Sequence, residues 1–230
     1  MDSYIIIPHY NRWDLTHARL YEIYKNCKSV KEVIVLDNAS TDEQTPEGLK
    51  WWAEFRIKYN FPVSSIRTDE NTGFLLGSNF GLGKLLERVS DDDLVILMSN
   101  DVQVRTDFVS QMTEIISQRG NKLLLGGILY SHDTGWNQFD GKIFPYLEGW
   151  LLGATAETWK ILKLFDERYA PSDYEDIDLS TLALKYGYEL VPLNNPGLYH
   201  IGAQSIGYTP TRLARTQENK IKFREKWLGS

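Results

Sequence analysis

Short runs of apolar residues, each followed by polar residues, recur in the first hundred residues of this chain. Three of them, Tyr4–Ile7, Val33–Leu36 and Leu94–Met98, consist only of aliphatic or aromatic residues and Met, which is typical of strands covered on both faces. Apolar periodicity predicts helices between and after them, over residues 15–24, 49–55, 81–89 and 107–118. This alternation predicts an α/β fold with a mostly parallel, Rossmann-like central sheet and helices on both faces.

The second half of the chain is less regular. Segments 123–130 and 141–144 read as strands of a smaller mixed region, and helical spacing returns over 155–164, 177–186 and the basic tail 211–227. At 230 residues, a single domain over 1–230 is the natural expectation. We divide it into a first half, 1–104, a second half, 105–205, and a helical tail, 206–230.

Charge and cysteine content exclude several classes of protein. The formal net charge is −6, whereas a general nucleic-acid-binding protein is expected to carry a basic footprint. Cys27 is the sole cysteine, which excludes an internal disulfide or a multi-cysteine metal site and fits a reducing compartment. The start lacks a signal-peptide pattern, and no segment approaches the roughly 20 apolar residues of a membrane span. We therefore expect a cytoplasmic protein without a transmembrane segment.

Polar residues follow three of the predicted strands, at Pro8–Asn11, Asp37–Asn38 and Ser99–Asp101. Each set by itself could be a turn. Ligands of open α/β sheets bind beyond the carboxyl ends of the strands, so three such sets favour a binding site at one edge. No Gly-x-Gly-x-x-Gly follows the first strand, and no Walker motif occurs. These absences argue against dinucleotide-binding and P-loop proteins, and the missing Gly-rich loop also argues against a nucleotidyltransferase.

Five motifs in order resemble the signature of family 2 glycosyltransferases, which have the GT-A fold. They are Ile6–Asn11, Val35–Asp42, Glu70–Phe74 with Gly77–Gly81, Leu97–Val102, and Tyr174–Ser180 with Gly187, Tyr188 and His200. The resemblance covers nearly the whole chain. It implies an inverting enzyme that moves one sugar from a nucleotide donor to a hydroxyl acceptor. The first half would bind the nucleotide sugar, and the second would supply the acceptor side and catalysis.

The donor implied by the resemblance is a UDP-hexose, with UDP-glucose as the first choice. Pro8, Tyr10 and Asp37 would hold the base and ribose. Asn71, Gly73 and Asn79 would border the same pocket. Trp150 could stack on a donor or acceptor ring, or could equally be a core residue. A Gln-x-x-Arg-Trp motif of processive synthases is absent, which favours single-sugar transfer. The acceptor and the oligomeric state stay open.

A divalent metal is implied by the motif after Met98. Relatives carry Asp-x-Asp there, whereas this chain has Ser99-Asn100-Asp101. Asp101 would bind the metal, Asn100 would contact ribose or donor sugar, and His200 would be a second ligand. One carboxylate and one imidazole favour Mn²⁺ over Mg²⁺. Asp101 could instead cap a turn, and His200 could be a buried histidine. The missing first carboxylate also leaves open an inactive nucleotide-sugar-binding module.

The catalytic base is expected in the Glu175-Asp176 pair. Inverting transfer needs a carboxylate that takes the acceptor proton, and the resemblance implies Asp176 for this role, with Glu175 touching substrate hydroxyls. Which of the two is the base stays open, and acidic residues are also common in a first helical turn. In the basic tail, Arg212, Arg215 or Lys220 could clamp a diphosphate or an anionic acceptor, or the helix could simply fold back on the domain.

Overall fold

A computed structural model describes residues 1–202, 207 and 209–229. The strands are β1 (Ser3–His9), β2 (Glu32–Asp37), β3 (Val63–Arg67), β4 (Leu94–Met98), β5 (Val102–Val104), β6 (Leu123–Gly126), β7 (Leu129–Tyr130), β8 (Gln138–Phe139), β9 (Lys142–Ile143), β10 (Tyr146–Leu147), β11 (Leu151–Thr155), β12 (Glu189–Pro192) and β13 (Leu198–His200). The α-helices are α1 (Trp13–Asn26), α2 (Gln44–Tyr59), α3 (Gly73–Leu86), α4 (Phe108–Arg119), α5 (Ala156–Leu162), α6 (Glu175–Lys185) and α7 (Pro210–Leu228).

Seven of these strands form one sheet, in the order β12-β6-β11-β4-β1-β2-β3. Strands β4, β1, β2 and β3 are parallel, as are β6 and β12, and β11 is antiparallel to both of its neighbours. The mostly parallel sheet predicted from the sequence is confirmed. Because β11 pairs antiparallel with β4, Leu151 lies opposite Met98. The segment just before β11 therefore lies at the carboxyl end of β4.

The sheet has a buried apolar cluster on each face. In β1, Ile6 belongs to one cluster, and Ile5 and Ile7 belong to the other, as expected when side chains alternate along a strand. The first face is covered by α3, α5, α6 and α7, which contribute Leu82, Trp159, Leu179 and Phe223. The second is covered by α1, α2 and α4, which contribute Leu20, Trp52 and Met112. Helices thus lie on both faces, as predicted.

Helix α3 begins well before the expected residues 81–89. Glycine lowers helix propensity, and residues 73–83 contain several glycines. The sequence pattern therefore predicts a helix that starts too late. Tertiary packing compensates. A Cβ at Gly77 would lie 3.1 Å from the Asn38 side chain, and one at Gly81 would lie 3.1 Å from Leu36. These glycines let the helix approach the sheet closely, next to the strand ends.

The smaller region also differs from expectation. The predicted strand 123–130 is divided into β6, which joins the main sheet, and β7, which pairs with β10. Strands β8 and β9 form a second antiparallel pair. The chain leaves the main sheet at Gly126 and Gly127, where a Cβ on Gly127 would overlap the ring of Trp150. The division therefore makes room for that indole.

The C-terminal helix α7 packs back onto the domain. Phe223 is completely buried and contacts Phe139, Phe144 and Tyr174. The expected boundary between second half and tail, at residues 205 and 206, lies outside the described residues. Within the described part of the chain, no helix has both the length and the apolar character that a bilayer crossing requires.

Candidate active site

A cleft of about 630 Å³ opens at the carboxyl ends of β1 and β4. It is lined by both halves of the chain and brings together all the predicted site residues except Asp37 and Asn79. Those that line it are Pro8, Tyr10, Asn71, Gly73, Asn100, Asp101, Trp150, Glu175, Asp176 and His200. The two acidic centres expected from the sequence, Asp101 and Asp176, thus share one cavity.

Asp37 lies behind the cleft wall. Its carboxylate is buried, accepts a hydrogen bond from the Ser40 backbone N–H at 2.8 Å and pairs with Arg67. The neighbouring Asn38 does line the cleft. Its Nδ2 donates to Asn71 Oδ1 at 3.0 Å and to the Gly73 carbonyl at 2.9 Å. Asn38 therefore holds the turn that leads into α3.

Asn79 departs from its expected position at the nucleotide pocket. It lines a second cavity instead, together with Phe80 and Lys226. Its Nδ2 donates to the Phe165 carbonyl at 2.8 Å, and its Oδ1 accepts from the Phe165 N–H at 3.0 Å. Because α3 begins at Gly73, Asn79 lies nearly two turns along the helix. There it fixes the loop after α5.

The candidate metal ligands Asp101 and His200 are neighbours. Strand β13 places His200 opposite Val102, and the Ile201 N–H donates to the Asp101 carbonyl at 3.1 Å. His200 Nε2 lies 3.3 Å from Asp101 Oδ1. Two ligands at right angles around an ion with bonds of about 2.1 Å are about 3 Å apart, so this pair fits a divalent cation.

The described residues contain no group of three His, Cys, Asp or Glu side chains arranged to hold a metal. A cation at Asp101 and His200 would therefore take its other ligands from substrate or water. Magnesium and related hard cations are commonly bound in this way, through one or two protein groups plus substrate phosphates.

Glu148 completes this part of the cleft, and no sequence motif marks it. Its Oε2 accepts from Trp150 Nε1 at 2.9 Å and from the Tyr130 hydroxyl at 3.3 Å, while its Oε1 lies 3.9 Å from His200 Nδ1. The Trp150 ring stacks on the His200 ring, with centroids 5.3 Å apart and an interplanar angle of 20°. Glu148 thus holds the Trp150 ring, and that ring packs on the imidazole.

Asn100 belongs to a buried polar network beneath the cleft. Its Nδ2 donates to Thr16 Oγ1 at 3.1 Å, and that hydroxyl lies 2.9 Å from His9 Nδ1. His9 Nε2 is 2.7 Å from Thr45 Oγ1. Burial lowers the pKa of His9, because desolvation disfavours the charged imidazole. Asn100 thus bonds within the fold as well as lining the cleft.

The carboxylate pair lies at the start of α6. Asp176 Oδ2 accepts from the Gly149 N–H at 3.0 Å, and Oδ1 accepts from the Ile177 N–H at 2.8 Å. Burial raises the pKa of Asp176 to about 6. Glu175 is only 6% exposed, and its Oε2 has no hydrogen-bond partner among the residues described. Burial, followed by the charge of Asp176, raises the pKa of Glu175 well above its ordinary value.

The Glu175-Asp176 pair directly follows a turn with a strained backbone, and contacts from α7 stabilise that turn. Asp173 and Tyr174 have φ values of 76° and 78°, a left-handed region that non-glycine residues seldom adopt and that clusters at functional sites. Asn219 of α7 is completely buried, and its Nδ2 donates to the carbonyls of Tyr169, Ser172 and Asp173 at 2.9, 3.0 and 3.0 Å. The sequence pattern indicated that α7 folds back on the domain, but it did not indicate the contact between Asn219 and this turn.

Two of the three candidate basic residues of α7 lie at the cleft. Arg212 and Arg215 line the cleft. Lys220 does not, because its ammonium donates to the Gly135 carbonyl at 3.0 Å and lies over the Phe139 ring. The two arginines therefore remain candidates for contact with a substrate.

The chain resembles several solved structures across its full length. GalNAc-T7 with UDP, GalNAc and Mn²⁺ has a TM-score of 0.71 and 15% identity, covering 99% of this chain and 49% of that one. Mannosyltransferase PcManGT from Pyrobaculum calidifontis, in complex with GDP-Man and Mn²⁺, has a TM-score of 0.69 and 19% identity. The match covers 96% of this chain and 64% of that one. S. aureus TarS 1-349 in complex with UDP-GlcNAc has a TM-score of 0.65 and 15% identity. The match covers 98% of this chain and 67% of that one. At such identities these similarities establish the fold.

A curated relative is polypeptide N-acetylgalactosaminyltransferase 6 of Bos taurus, which is 21% identical over 98% of this chain and 41% of its own length. The chain spans less than half the length of this relative and of GalNAc-T7. The family model for glycosyl transferase family 2 matches residues 4–172. That range includes Asp101 and ends before Asp176 and His200. The match extends over more than half of the chain, and the chain therefore belongs to glycosyl transferase family 2 and has the GT-A fold.

Proposed function

We propose that this chain transfers one sugar from a nucleotide-sugar donor to a hydroxyl group by an inverting, metal-dependent displacement. The observation that carries the proposal is the shared cleft, which is lined by the Asp101–His200 pair and by the Asp176 carboxylate. Such a transfer needs a cationic centre for the departing diphosphate and a base for the acceptor hydroxyl. The similar structures with nucleotides and Mn²⁺ support the same reading.

The proposed donor is a UDP-hexose, with UDP-glucose as the first candidate. Pro8, Tyr10, Asn71 and Gly73 line the part of the cleft nearest the ends of β1 and β2, where the base and ribose would bind. Two of the similar structures hold UDP or a UDP-sugar, and one holds GDP-Man. Donor identity therefore has to be tested with more than one base.

We assign the domain organisation on the same grounds. Residues 1–104 would bind the nucleotide sugar, 105–205 would supply the acceptor side and the catalytic carboxylates, and 206–230 would form the helical tail of a single domain. The metal site would join the two halves, since Asp101 comes from the first and His200 from the second.

Asp101 and His200 would hold Mn²⁺, or Mg²⁺ as the second candidate. The bound ion would supply charge neutralisation for the departing diphosphate. The imidazole ligand favours Mn²⁺, and Glu148 and Trp150 would orient His200 in the way that outer-sphere partners orient metal ligands.

Asp176 would act as the general base. It would take the acceptor's hydroxyl proton while that oxygen bonds to the anomeric carbon and the bond from that carbon to the phosphate oxygen breaks. The two backbone N–H groups on its carboxylate fix its orientation. A pKa of about 6 leaves it mostly ionised near neutrality and still basic enough to accept a proton. Glu175, with its unpartnered oxygen, would bind a substrate hydroxyl.

A thermal-shift screen tests the donor and the metal together. UDP-glucose, UDP-GlcNAc, UDP-GalNAc and GDP-mannose are each added with and without Mn²⁺, and the hit is then assayed for transfer and for product anomeric configuration by NMR. A ligand at 100 times its Kd stabilises the native state by about 2.7 kcal/mol. Stabilisation by no nucleotide sugar would contradict the donor assignment, and a retained anomeric configuration would contradict the inverting mechanism.

An inactive nucleotide-sugar-binding module is the second candidate. Ser99 stands where relatives carry the first carboxylate of the metal motif, and the amide of the next residue, Asn100, donates to Thr16. Binding of donor and Mn²⁺ without any hydrolysis or transfer, over a range of hydroxyl acceptors, would favour this alternative.

A further inference from the structure

Two arginines of α7 form one corner of the active-site cleft. Arg212 and Arg215 are three residues apart, which places them on the same face of the helix, and both line the cleft. Among the described cleft residues they are the only lysine or arginine side chains. The acidic residues that line the cleft are Asp101, Glu148, Asp173, Glu175 and Asp176. A positive corner in an otherwise acidic cleft is a feature that needs a chemical explanation.

One carboxylate serves both arginines. Arg212 contacts Asp173 through Nη2 at 2.7 Å and Nε at 3.2 Å, and Arg215 Nη2 lies 3.6 Å from the same carboxylate. The two guanidinium groups thus share the Asp173 carboxylate. The arginine side chains are 20% and 24% exposed, so a ligand in the cleft can reach them.

Arg215 also has donor capacity that the fold does not use. Its Nη2 donates to Ser172 Oγ at 3.1 Å, whereas its buried Nε has no hydrogen-bond partner within the described part of the chain. A guanidinium carries five N–H donors in a planar fork that matches phosphate and carboxylate oxygens. Leaving a buried donor unpaired costs free energy, which an incoming oxyanion would recover.

We propose that Arg212 and Arg215 form an oxyanion-binding site for a phosphate or carboxylate group of a substrate, with the acceptor as its source. This inference rests on the proposed function. Asp173 anchors both arginines and is three residues before Asp176, so an anion bound here lies close to the hydroxyl presented to the base. The donor diphosphate would instead be neutralised by the cation proposed at Asp101 and His200.

The surroundings of this corner indicate the rest of the ligand. Trp136 and Leu213 line the same cleft and are 40% and 50% exposed. An exposed indole in the same cleft as the two guanidinium groups can stack on a sugar ring whose charged substituent reaches the arginines. The acceptor class that fits is a phosphorylated or carboxylated sugar or polyol.

The test compares Arg215→Gln with Arg224→Gln. Arg224 belongs to the same helix but pairs with Asp140 on the surface outside the cleft, which makes it a matched control. Calorimetric titrations use inorganic phosphate, glucose 6-phosphate and glucose, each with and without UDP and Mn²⁺, and UDP alone with Mn²⁺. We expect Arg215→Gln to weaken the binding of both phosphate compounds about 10- to 100-fold, and to leave UDP binding unchanged. Arg224→Gln should change neither.

Each other outcome has a defined meaning. If Arg215→Gln weakens UDP binding instead, the arginines contact the donor diphosphate, and the assignment to the acceptor is wrong. If phosphate binding is the same in both variants, or if the parent binds glucose 6-phosphate no better than glucose, the site is wrong. Circular dichroism checks folding, and Arg215→Lys, which keeps the charge, should bind phosphate better than Arg215→Gln if the variant is folded.

Failure of the proposed function would look different. A parent protein that binds no UDP with Mn²⁺ would contradict the transferase assignment, whereas titration of phosphate into the protein without nucleotide would still report on the two arginines.

Discussion

Asp176 is partly exposed to the cleft, and its surroundings raise the pKa of its carboxyl group. Two backbone N–H groups favour its ionised form, and burial opposes it more strongly, so its pKa rises to about 6. The balance suits a group that must be ionised near neutrality and yet accept a proton. In the adjacent Glu175, the buried Oε2 accepts no hydrogen bond from the described residues. The two neighbouring carboxyls therefore have different chemistry.

The first prediction concerns Asp176→Asn. We expect transfer to fall by about 10²- to 10⁴-fold, the usual contribution of a general base, while UDP affinity with Mn²⁺ is retained. In the parent, the transfer rate should rise with pH through about 6 and then level off, because the ionised carboxylate is the active form. Initial rates from pH 4.5 to 8 measure this. Full activity in the Asn variant would assign the base to another residue.

The second prediction concerns the metal pair. Asp101→Ala should lower the affinity for UDP in the presence of Mn²⁺ by roughly tenfold or more, as typical for disturbed metal sites, and should have little effect without metal. His200→Ala should give a milder defect. Isothermal calorimetry with and without Mn²⁺ distinguishes the two conditions. Equal UDP affinity in parent and variant would exclude Asp101 as a ligand.

At the scale of elements, α7 stabilises the turn at the start of α6, although the two helices are far apart in the sequence. Asn219 fixes three carbonyls of the turn that ends at Asp173, and the hydroxyl of Thr216 donates to the Asp173 carboxylate at 2.9 Å. The left-handed pair Asp173 and Tyr174 is costly. These contacts stabilise it, and they set the direction in which α6 starts.

The third prediction follows from this contact. Asn219→Ala should destabilise the protein by about 2 kcal/mol or more, because buried carbonyls lose their donor. It should reduce turnover with little change in UDP affinity, since the turn positions Asp176. Urea unfolding and steady-state kinetics measure both effects. Gln217→Ala, on the exposed side of α7, is the control, and an equal loss of turnover in that variant would contradict a specific role for Asn219.

The sequence was informative where function depends on short, contiguous patterns. The ends of β1 and β4 and the start of α6 carry recognisable polar motifs, and their predicted positions in one cleft agree with the structure. Asn219 was not predictable, because it contacts a residue 50 positions away. The resemblance placed Asn79 at the nucleotide pocket, whereas its amide bonds to the Phe165 backbone, a contact 86 positions away that the motif does not reveal.

At the scale of the whole molecule, the active-site cleft contains buried acids that lower stability. Glu175 keeps its proton to higher pH in the native state than in the unfolded chain. Native protein therefore binds more protons than unfolded protein above the ordinary pKa of 4.5, and its unfolding free energy decreases as pH rises through this range. The same sign holds for Asp176 between 3.8 and about 6.

The fourth prediction uses this linkage. Glu175→Gln removes one of the two titrations, so the variant should lose less stability than the parent between pH 4 and pH 7. The difference should be small near pH 4, where both native and unfolded carboxyls are protonated. Urea denaturation across this pH range measures it. A parent whose stability rises over the range, relative to the variant, would show that the native state favours ionised Glu175.

The antiparallel insertion of β11 has a thermodynamic consequence. The three residues before it contact both chemical centres: Glu148 and Trp150 support His200, and the Gly149 N–H binds Asp176. A ligand that shifts this segment at one centre changes the affinity of the other. By linkage the factor is the same in both directions, so any change that a cation makes in acceptor affinity has an equal counterpart in the effect of the acceptor on cation affinity.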